Sequence, residues 1–179
     1  MRRTFCACAV SLALLSCGPK PVETAIAKTA TPEEKLYVAL RAGTYQTNAA
    51  LESIREATEH IKPLTEMVEG EGKNELLDLL DFLDSSGRLL ADHVEEPDQA
   101  TVAKKFGEAD DERLSAIEDL GRAKEDLGKA QELAKELEGA LDKTVPEEIK
   151  QEHATISASI GEAVGAVEEG LGELKKVGG

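Results

Sequence analysis

Residues 118–131 have the sequence EDLGRAKEDLGKAQ, in which the heptad EDLGRAK is nearly repeated by EDLGKAQ. Leu120, Ala123, Leu127 and Ala130 are spaced alternately three and four residues apart within it. This spacing places them on one stripe of an α-helix, whereas a strand would bring every second residue to the same face. The stretch therefore predicts a long amphipathic helix that packs against other helices.

The same spacing extends from the repeat in both directions and recurs in three other stretches. The stripe positions are Leu36, Leu40, Gly43, Thr47, Ala50, Ile54, Ala57, Ile61, Leu64 and Val68; Leu76, Leu80, Leu83, Gly87, Leu90 and Val94; Val102, Phe106, Ala109, Arg113, Ala116, Leu120, Ala123, Leu127, Ala130, Ala134, Leu137 and Leu141; and Ile149, His153, Ile156, Ile160, Ala163, Val167, Gly170, Leu174 and Val177. Glycine or proline separates the four stretches, at residues 70–72, 97–98 and 144–146. No stretch alternates as a strand does, so we predict an all-α fold.

Helix starts can be placed from local capping patterns. Thr31 before Pro32, with Glu34 three positions after the threonine, matches a capping box, so the folded domain is expected to begin at residue 31. Asn74 is the expected cap of the second helix. Several helices packed within one chain are favoured over a two-stranded coiled coil, because further residues are expected to widen the apolar stripes. These are Leu77, Leu79, Phe82 and Leu89 in the second stretch, Leu114, Ile117 and Gly121 in the third, and Ser157, Gly161, Val164 and Leu171 in the last.

Helix length decides between arrangements of these helices. Taken without interruption, the second helix would be about 32 Å long and the third about 68 Å, which would pack poorly as antiparallel neighbours. A break in the third stretch near residues 107–111 (GEADD) would instead let its first part extend the second helix, giving four legs of roughly 46 to 54 Å. We therefore predict an antiparallel up-down four-helix bundle with an interrupted second leg.

The N-terminal residues carry a targeting pattern. Arg2 and Arg3 precede an apolar stretch, residues 5–15, that is shorter than the roughly 20 residues needed to span a bilayer. Leu14-Leu15-Ser16-Cys17 then resembles the lipobox of bacterial lipoprotein precursors. The resemblance implies cleavage before Cys17, a diacylglycerol on its thiol, and acylation of the freed amine, for instance with palmitate.

This resemblance divides the chain into a signal peptide (1–16), a lipidated cysteine with a flexible tether (17–30) and a helical domain (31–179). It implies membrane anchoring outside the cytoplasm: on the periplasmic side of the outer membrane where the cell has one, since Gly18 is not acidic, and otherwise on the cell surface. Export by the general secretory route and by the twin-arginine route are both compatible with Arg2-Arg3.

Composition narrows the function classes. The formal net charge of -15 disfavours nucleic acid as a partner, and 3% aromatic residues with no tryptophan leave little to stack on sugars or flat cofactors. No nucleophile motif or phosphate-binding loop occurs in the sequence, so we expect neither enzymatic activity nor a cofactor. The expected partners are the membrane, an envelope protein and, as an alternative, a second copy of the chain.

Two functions are compatible with these features: an interaction or structural module of the cell envelope, or a bundle that binds a metal ion or small ligand. His60, His153 and Glu56 are the candidate metal ligands, because the first and last legs should be neighbours and place both histidines near the same end. The alternative for these residues is structural, with His153 at the core edge paired with a carboxylate and with His60 and His93 exposed.

Overall fold

The computed structural model describes residues 30–141 and 146–178, and all regular structure within these ranges is helical. The helices are α1 (Pro32–Met67), α2 (Glu71–Ala91), α3 (Gln99–Lys104), α4 (Phe106–Leu141) and α5 (Glu147–Lys175), followed by a 3₁₀ turn at Lys176–Gly178. The predicted all-α fold class is confirmed. No helix in the described ranges is both long enough and apolar enough to cross a bilayer.

The start of α1 follows from its capping box. The Glu34 backbone N–H donates to Thr31 Oγ1 at 3.2 Å, and the Thr31 N–H donates to Glu34 Oε2 at 2.9 Å. Two of the donors that a helix start leaves without an intrahelical partner are thereby satisfied, as predicted. The helix continues through Pro63 to Met67.

The predicted start of the second helix at Asn74 is wrong, because α2 already begins at Glu71. Gly70 adopts φ 72°, a left-handed conformation open to glycine at little cost, and this lets the chain reverse within a few residues. Asn74 therefore lies inside the helix.

Cross-helix hydrogen bonds define how the helices run. Gln46 and His60 of α1 contact Glu169 and Glu152 of α5, so residue numbers rise along one helix as they fall along the other. The α2–α4 and α4–α5 pairs are also antiparallel, and α3 packs against α1 and α4, the same two helices that α2 contacts. The hydrophobic core lies between these helices.

The predicted stripes on α1, α4 and α5 form the core. On α2, the buried residues differ from those of the predicted stripe. Leu79 and Ser86 are fully buried there, while Leu80 and Gly87 are only half-buried. A serine can occupy the core because its hydroxyl donates to the Phe82 carbonyl at 2.9 Å, so the buried oxygen of Ser86 is not left unpaired. The predicted stripe, which includes Gly87 and not Ser86, is therefore wrong at this position.

The prediction that Leu77 and Leu114 widen the buried stripes of their helices is wrong. Leu77 on α2 is 45% exposed and Leu114 on α4 is 51% exposed. Each lies beside the buried stripe of its helix, on a side that no other described helix covers. Isolated exposed leucines are common on soluble proteins, so neither marks a binding surface by itself.

The break predicted near residues 107–111 lies slightly earlier, at Lys105. These five residues are helical because α4 begins at Phe106, which places Ala109 in the core. Arg113, the one charged stripe residue, is 7% exposed: its Nε donates to Asp110 at 2.7 Å and its Nη1 to the Leu174 carbonyl at 3.0 Å. A cation at the C-terminal end of α5 is also favoured by the helix dipole.

Candidate functional site

A cleft of about 300 Å³ opens near the start of α4. Four parts of the chain enclose it: one face of α1, the segment joining α2 to α3 together with α3, the first turns of α4, and the end of α5. Its lining residues are Leu40, Gly43, Thr44, Thr47, Asp92, His93, Glu95, Glu96, Pro97, Asp98, Thr101, Val102, Lys105, Glu108, Ala109, Glu112, Ala116 and Leu174. The volume is at the small end of the range for ligand pockets.

The floor of the cleft is apolar. Leu40, Val102 and Leu174 contribute to it, and each is less than a tenth exposed. Gly43 lets α1 approach α5 closely at this point, because a Cβ there would lie 2.7 Å from Leu174 Cδ2. The floor is therefore part of the core, which should give it a fixed shape.

The segment between α2 and α3 forms one wall and is held to α1. Asn48 Nδ2 donates to the Val94 carbonyl at 3.2 Å, and Thr44 Oγ1 to the Glu95 carbonyl at 3.4 Å. These bonds supply partners to backbone carbonyls of a segment without helical hydrogen bonding. The wall thus depends on side chains of α1.

Asp98 caps α3 at the edge of the cleft. Its carboxylate accepts hydrogen bonds from the Thr101 hydroxyl at 2.7 Å and from the Thr101 backbone N–H at 2.8 Å. These hydrogen bonds, the hydroxyl's first, hold the pKa of the Asp98 carboxyl below its ordinary value. Asp98 is therefore ionised at neutral pH.

The lining carries an excess of negative charge. Lys105 forms an ion pair with Glu108 at 2.7 Å, and this carboxylate raises the pKa of the lysine, which stays charged. The other acidic lining residues form no salt bridge within the described ranges, and they are Asp92, Glu95, Glu96, Asp98 and Glu112. The cleft can therefore attract a cation.

His93 also lines this cleft, contrary to the prediction that it is exposed. Its side chain is 10% exposed, and its Nε2 lies 2.9 Å from Asp119 Oδ2 on α4. The carboxylate can only accept, so Nε2 carries the proton and donates it. Nδ1 forms no hydrogen bond among the described residues, and since none of their buried side-chain nitrogen or oxygen atoms lacks a partner, Nδ1 must reach solvent.

The candidate metal ligands are not brought together. His60 Nδ1 contacts Glu152 Oε2 at 2.5 Å, whereas the buried His153 donates from Nε2 to the Ala134 carbonyl of α4 at 2.7 Å. Consecutive positions on a helix do not face each other, so Glu152 does not bring His60 to His153. Glu56 is exposed on α1.

The structural alternative for the histidines also needs correction. His153 is paired with a backbone carbonyl and not with a carboxylate, and His60 is only partly exposed because it contacts Glu152. No cluster of three histidine, cysteine or acidic side chains suited to a metal ion occurs in the part of the chain that the structure describes. Cys17, the predicted lipidation site, lies outside the described residues.

Sequence reasoning missed the cleft itself. The one local signal was the concentration of acidic residues at 92–98 (DHVEEPD) beside a proline-containing helix break. An acidic run alone indicates only a solvated segment. The chain matches no protein-family model, no curated protein and no solved structure.

Proposed function

We propose that this protein is an exported lipoprotein, anchored by lipid on Cys17, whose helical domain binds a partner in the cell envelope. The role is binding and not catalysis, and the observation that carries it is the cleft beside residues 92–98. A concave site with an apolar floor and a polar rim is the usual form of a binding site on a small domain.

The anchor rests on the sequence Leu14-Leu15-Ser16-Cys17, which supplies a lipobox at the end of a short apolar stretch. Lipid chains contribute about 0.8 kcal/mol for each buried CH₂ group, so two or three chains retain a protein at a bilayer without a membrane-spanning helix. The mature protein would be held at the periplasmic side of the outer membrane where the cell has one, and otherwise at the cell surface.

For the helical domain we propose an antiparallel up-down four-helix bundle. In it, α2 and α3 together form one interrupted leg, and α1, α4 and α5 form the other three. The antiparallel contacts between these helices support this arrangement, as does the packing of α2 and α3 against the same two neighbours. The interruption between Ala91 and Gln99 then creates one wall of the cleft.

The position of the cleft also fits an anchored binding module. Leu40 lies eight residues after the first residue of α1, which corresponds to about 12 Å along the helix. A tether attached before Thr31 would therefore leave the cleft in the half of the domain nearer to the membrane. A partner in the same membrane, or bound to its surface, could reach it.

The anchor is tested by replacing Cys17 with alanine. In cells supplied with labelled palmitate, the Cys17→Ala chain should carry no label and should leave the membrane fraction or accumulate as precursor. The matched control is Cys8→Ala, because Cys8 lies within the predicted signal and should leave lipidation unchanged. Equal labelling of the Cys17→Ala chain and the unaltered chain would contradict the proposal.

The binding role is tested by a photo-crosslinking residue at the exposed Thr101, which lines the cleft, and at the exposed Ala154 on α5, which does not. We expect a discrete crosslinked product in intact cells from position 101 and none from position 154. The same product from both positions, or no product from either, would contradict binding at the cleft.

A further inference from the structure

We propose that residues 92–105, which we call the strap, open away from the rest of the domain and admit the partner to the cleft, while α1, α2, α4 and α5 stay folded. The strap consists of the segment that joins α2 to α3, α3 itself and Lys105. The entry of a partner rests on the binding role proposed above, whereas the opening rests on the contacts of the strap alone.

Little apolar surface holds the strap in place. Val102 is its only buried residue, at 4% exposure, and His93 follows with a side chain that is 10% exposed. Each of the four long helices buries at least five residues. Because local opening costs less where less apolar surface is buried, the strap should open well before any of these helices unfolds.

Side chains of α1 and α4 contact only the first residues of the strap through hydrogen bonds. These contacts join Asn48 Nδ2 to the Val94 carbonyl at 3.2 Å, Thr44 Oγ1 to the Glu95 carbonyl at 3.4 Å, and Asp119 Oδ2 to His93 Nε2 at 2.9 Å. Within the described ranges, α3 forms no hydrogen bond with another helix. The packing of Val102 is therefore the main contact that holds α3 against the domain.

The remaining hydrogen bonds of α3 lie within the strap. Asp98 accepts from the backbone N–H and the hydroxyl of Thr101, and its carbonyl accepts from the Val102 N–H at 3.0 Å. The Lys105 N–H donates to the Thr101 carbonyl at 2.8 Å. None of these bonds has to break when the strap moves away from α1 and α4.

The chain leaves helical geometry at both ends of the strap. Lys105, between α3 and α4, has φ -125° and ψ 46°. Residues 92–98, between α2 and α3, belong to no helix. Non-helical residues can absorb the dihedral changes of a hinge, so α3 can move without bending α2 or α4.

Opening would change the size of the cleft. Leu40 and Leu174 belong to long helices and keep their places in the floor, but Val102 and the wall formed by residues 92–98 would leave with the strap. The closed cleft, at about 300 Å³, is small for a segment of polypeptide. The open form is therefore the one that admits the partner, and the closed form lowers the apparent affinity by the fraction of molecules that it holds.

The opening can be measured by thiol labelling of the purified full chain in detergent, with Cys6, Cys8 and Cys17 replaced by alanine. Val102→Cys places a thiol that a reagent reaches only when the strap opens, and Ser86→Cys places one in the core of α2 as the control. We expect the thiol at position 102 to react at least about tenfold faster, with a weaker dependence on urea because less surface is exposed. Equal rates with equal urea dependence would overturn the proposal, because both sites would then require global unfolding.

Two asparagine variants of the Val102→Cys chain test what holds the strap. Asn48→Ala removes the bond to the Val94 carbonyl, and Asn74→Ala changes an exposed asparagine of α2 that has the same gain in helix propensity. Asn48→Ala should raise the labelling rate about threefold to tenfold, and Asn74→Ala should not raise it. Equal labelling rates in the two variants would overturn a closed strap held by α1.

The entry of the partner is tested in intact cells with a photo-crosslinking residue at Glu112, which lines the cleft on α4 outside the strap. Asn48 does not line the cleft, so Asn48→Ala should raise the yield of crosslinked product only through opening, while Asn74→Ala leaves it unchanged. An unchanged or lower yield in Asn48→Ala would overturn the open form as the binding form. No product from position 101 or 112 would overturn the binding role and the entry of a partner together, and the labelling rates would still decide whether the strap opens.

Discussion

Gly43 provides a direct test of how closely α1 approaches α5. A Cβ added at this position would lie 2.7 Å from Leu174 Cδ2 and 2.8 Å from Leu174 Cγ, distances that an unaltered structure cannot accommodate. Gly43→Ala would also raise the helix propensity, by up to about 1 kcal/mol. Overpacking a core typically costs about 1–3 kcal/mol, so we expect a net loss of stability of up to roughly 2 kcal/mol.

Gly165→Ala is the matched control. Gly165 lies well inside α5, and no atom of the described residues outside its own helix turn comes within 4 Å of the added Cβ. This variant should be stabilised by about 0.5–1 kcal/mol. Because both changes carry a similar propensity gain, the difference between the two variants isolates the steric cost at Gly43, roughly 1–3 kcal/mol.

The assay is urea denaturation of each full chain, followed by helical circular dichroism, with thermal unfolding as a second measurement. For a domain of this size, each kcal/mol should move the Tm by about 2–4 °C. If Gly43→Ala were as stable as Gly165→Ala, or more stable than the unaltered chain, then α1 and α5 would not be in contact at this position. The close approach of α1 to α5 in the floor of the cleft would then be wrong.

Two further predictions concern charged groups. Arg113→Met should lower the free energy of unfolding, measured by urea denaturation, by about 2 kcal/mol, because it removes buried charged hydrogen bonds to Asp110 and to the Leu174 carbonyl. The control Arg88→Met removes an exposed ion pair with Asp84 and should change that free energy by less than about 0.5 kcal/mol. Equal effects of the two substitutions would contradict a stabilising role for the buried hydrogen bonds of Arg113. The pKa of Asp98 is lowered by the folded state, so its contribution to the α3 cap is present above the ordinary carboxyl value of 3.8 and is lost as the pH falls through the lowered pKa. The pH-dependent movement of the Thr101 amide proton signal should therefore have its midpoint below 3.8. In Asp98→Asn, which keeps a capping side chain, that movement should disappear; an unchanged titration would assign it to another group.

The helices were predictable because their signals are local. The capping box at Thr31 involves residues three positions apart, and the buried stripes of α1, α4 and α5 follow from spacings of three and four. The errors are also local in origin. Gly70 could end one helix or begin the next, and the structure uses it to begin α2 three residues before Asn74.

The register of α2 was not predictable from the apolar pattern. Leucines at 76, 77, 79, 80, 83, 89 and 90 allow more than one stripe on this helix. The stripe that is buried includes Ser86, which approaches α4 only because its hydroxyl has a carbonyl to bond. Which face turns inward is decided by the neighbouring helices and not by the helix itself.

The sequence by itself determined the helical class, most helix ends and the lipobox-like pattern at Cys17, because each depends on residues within about one or two helical turns. The tertiary structure decided the partners of His60, His93 and His153 and the existence of the cleft. Thr44 and the Glu95 carbonyl that it holds are 51 positions apart, and the cleft forms only where four separate segments meet. Contacts at such separations are set by how helices pack, and the periodicity of a single helix carries no information about them.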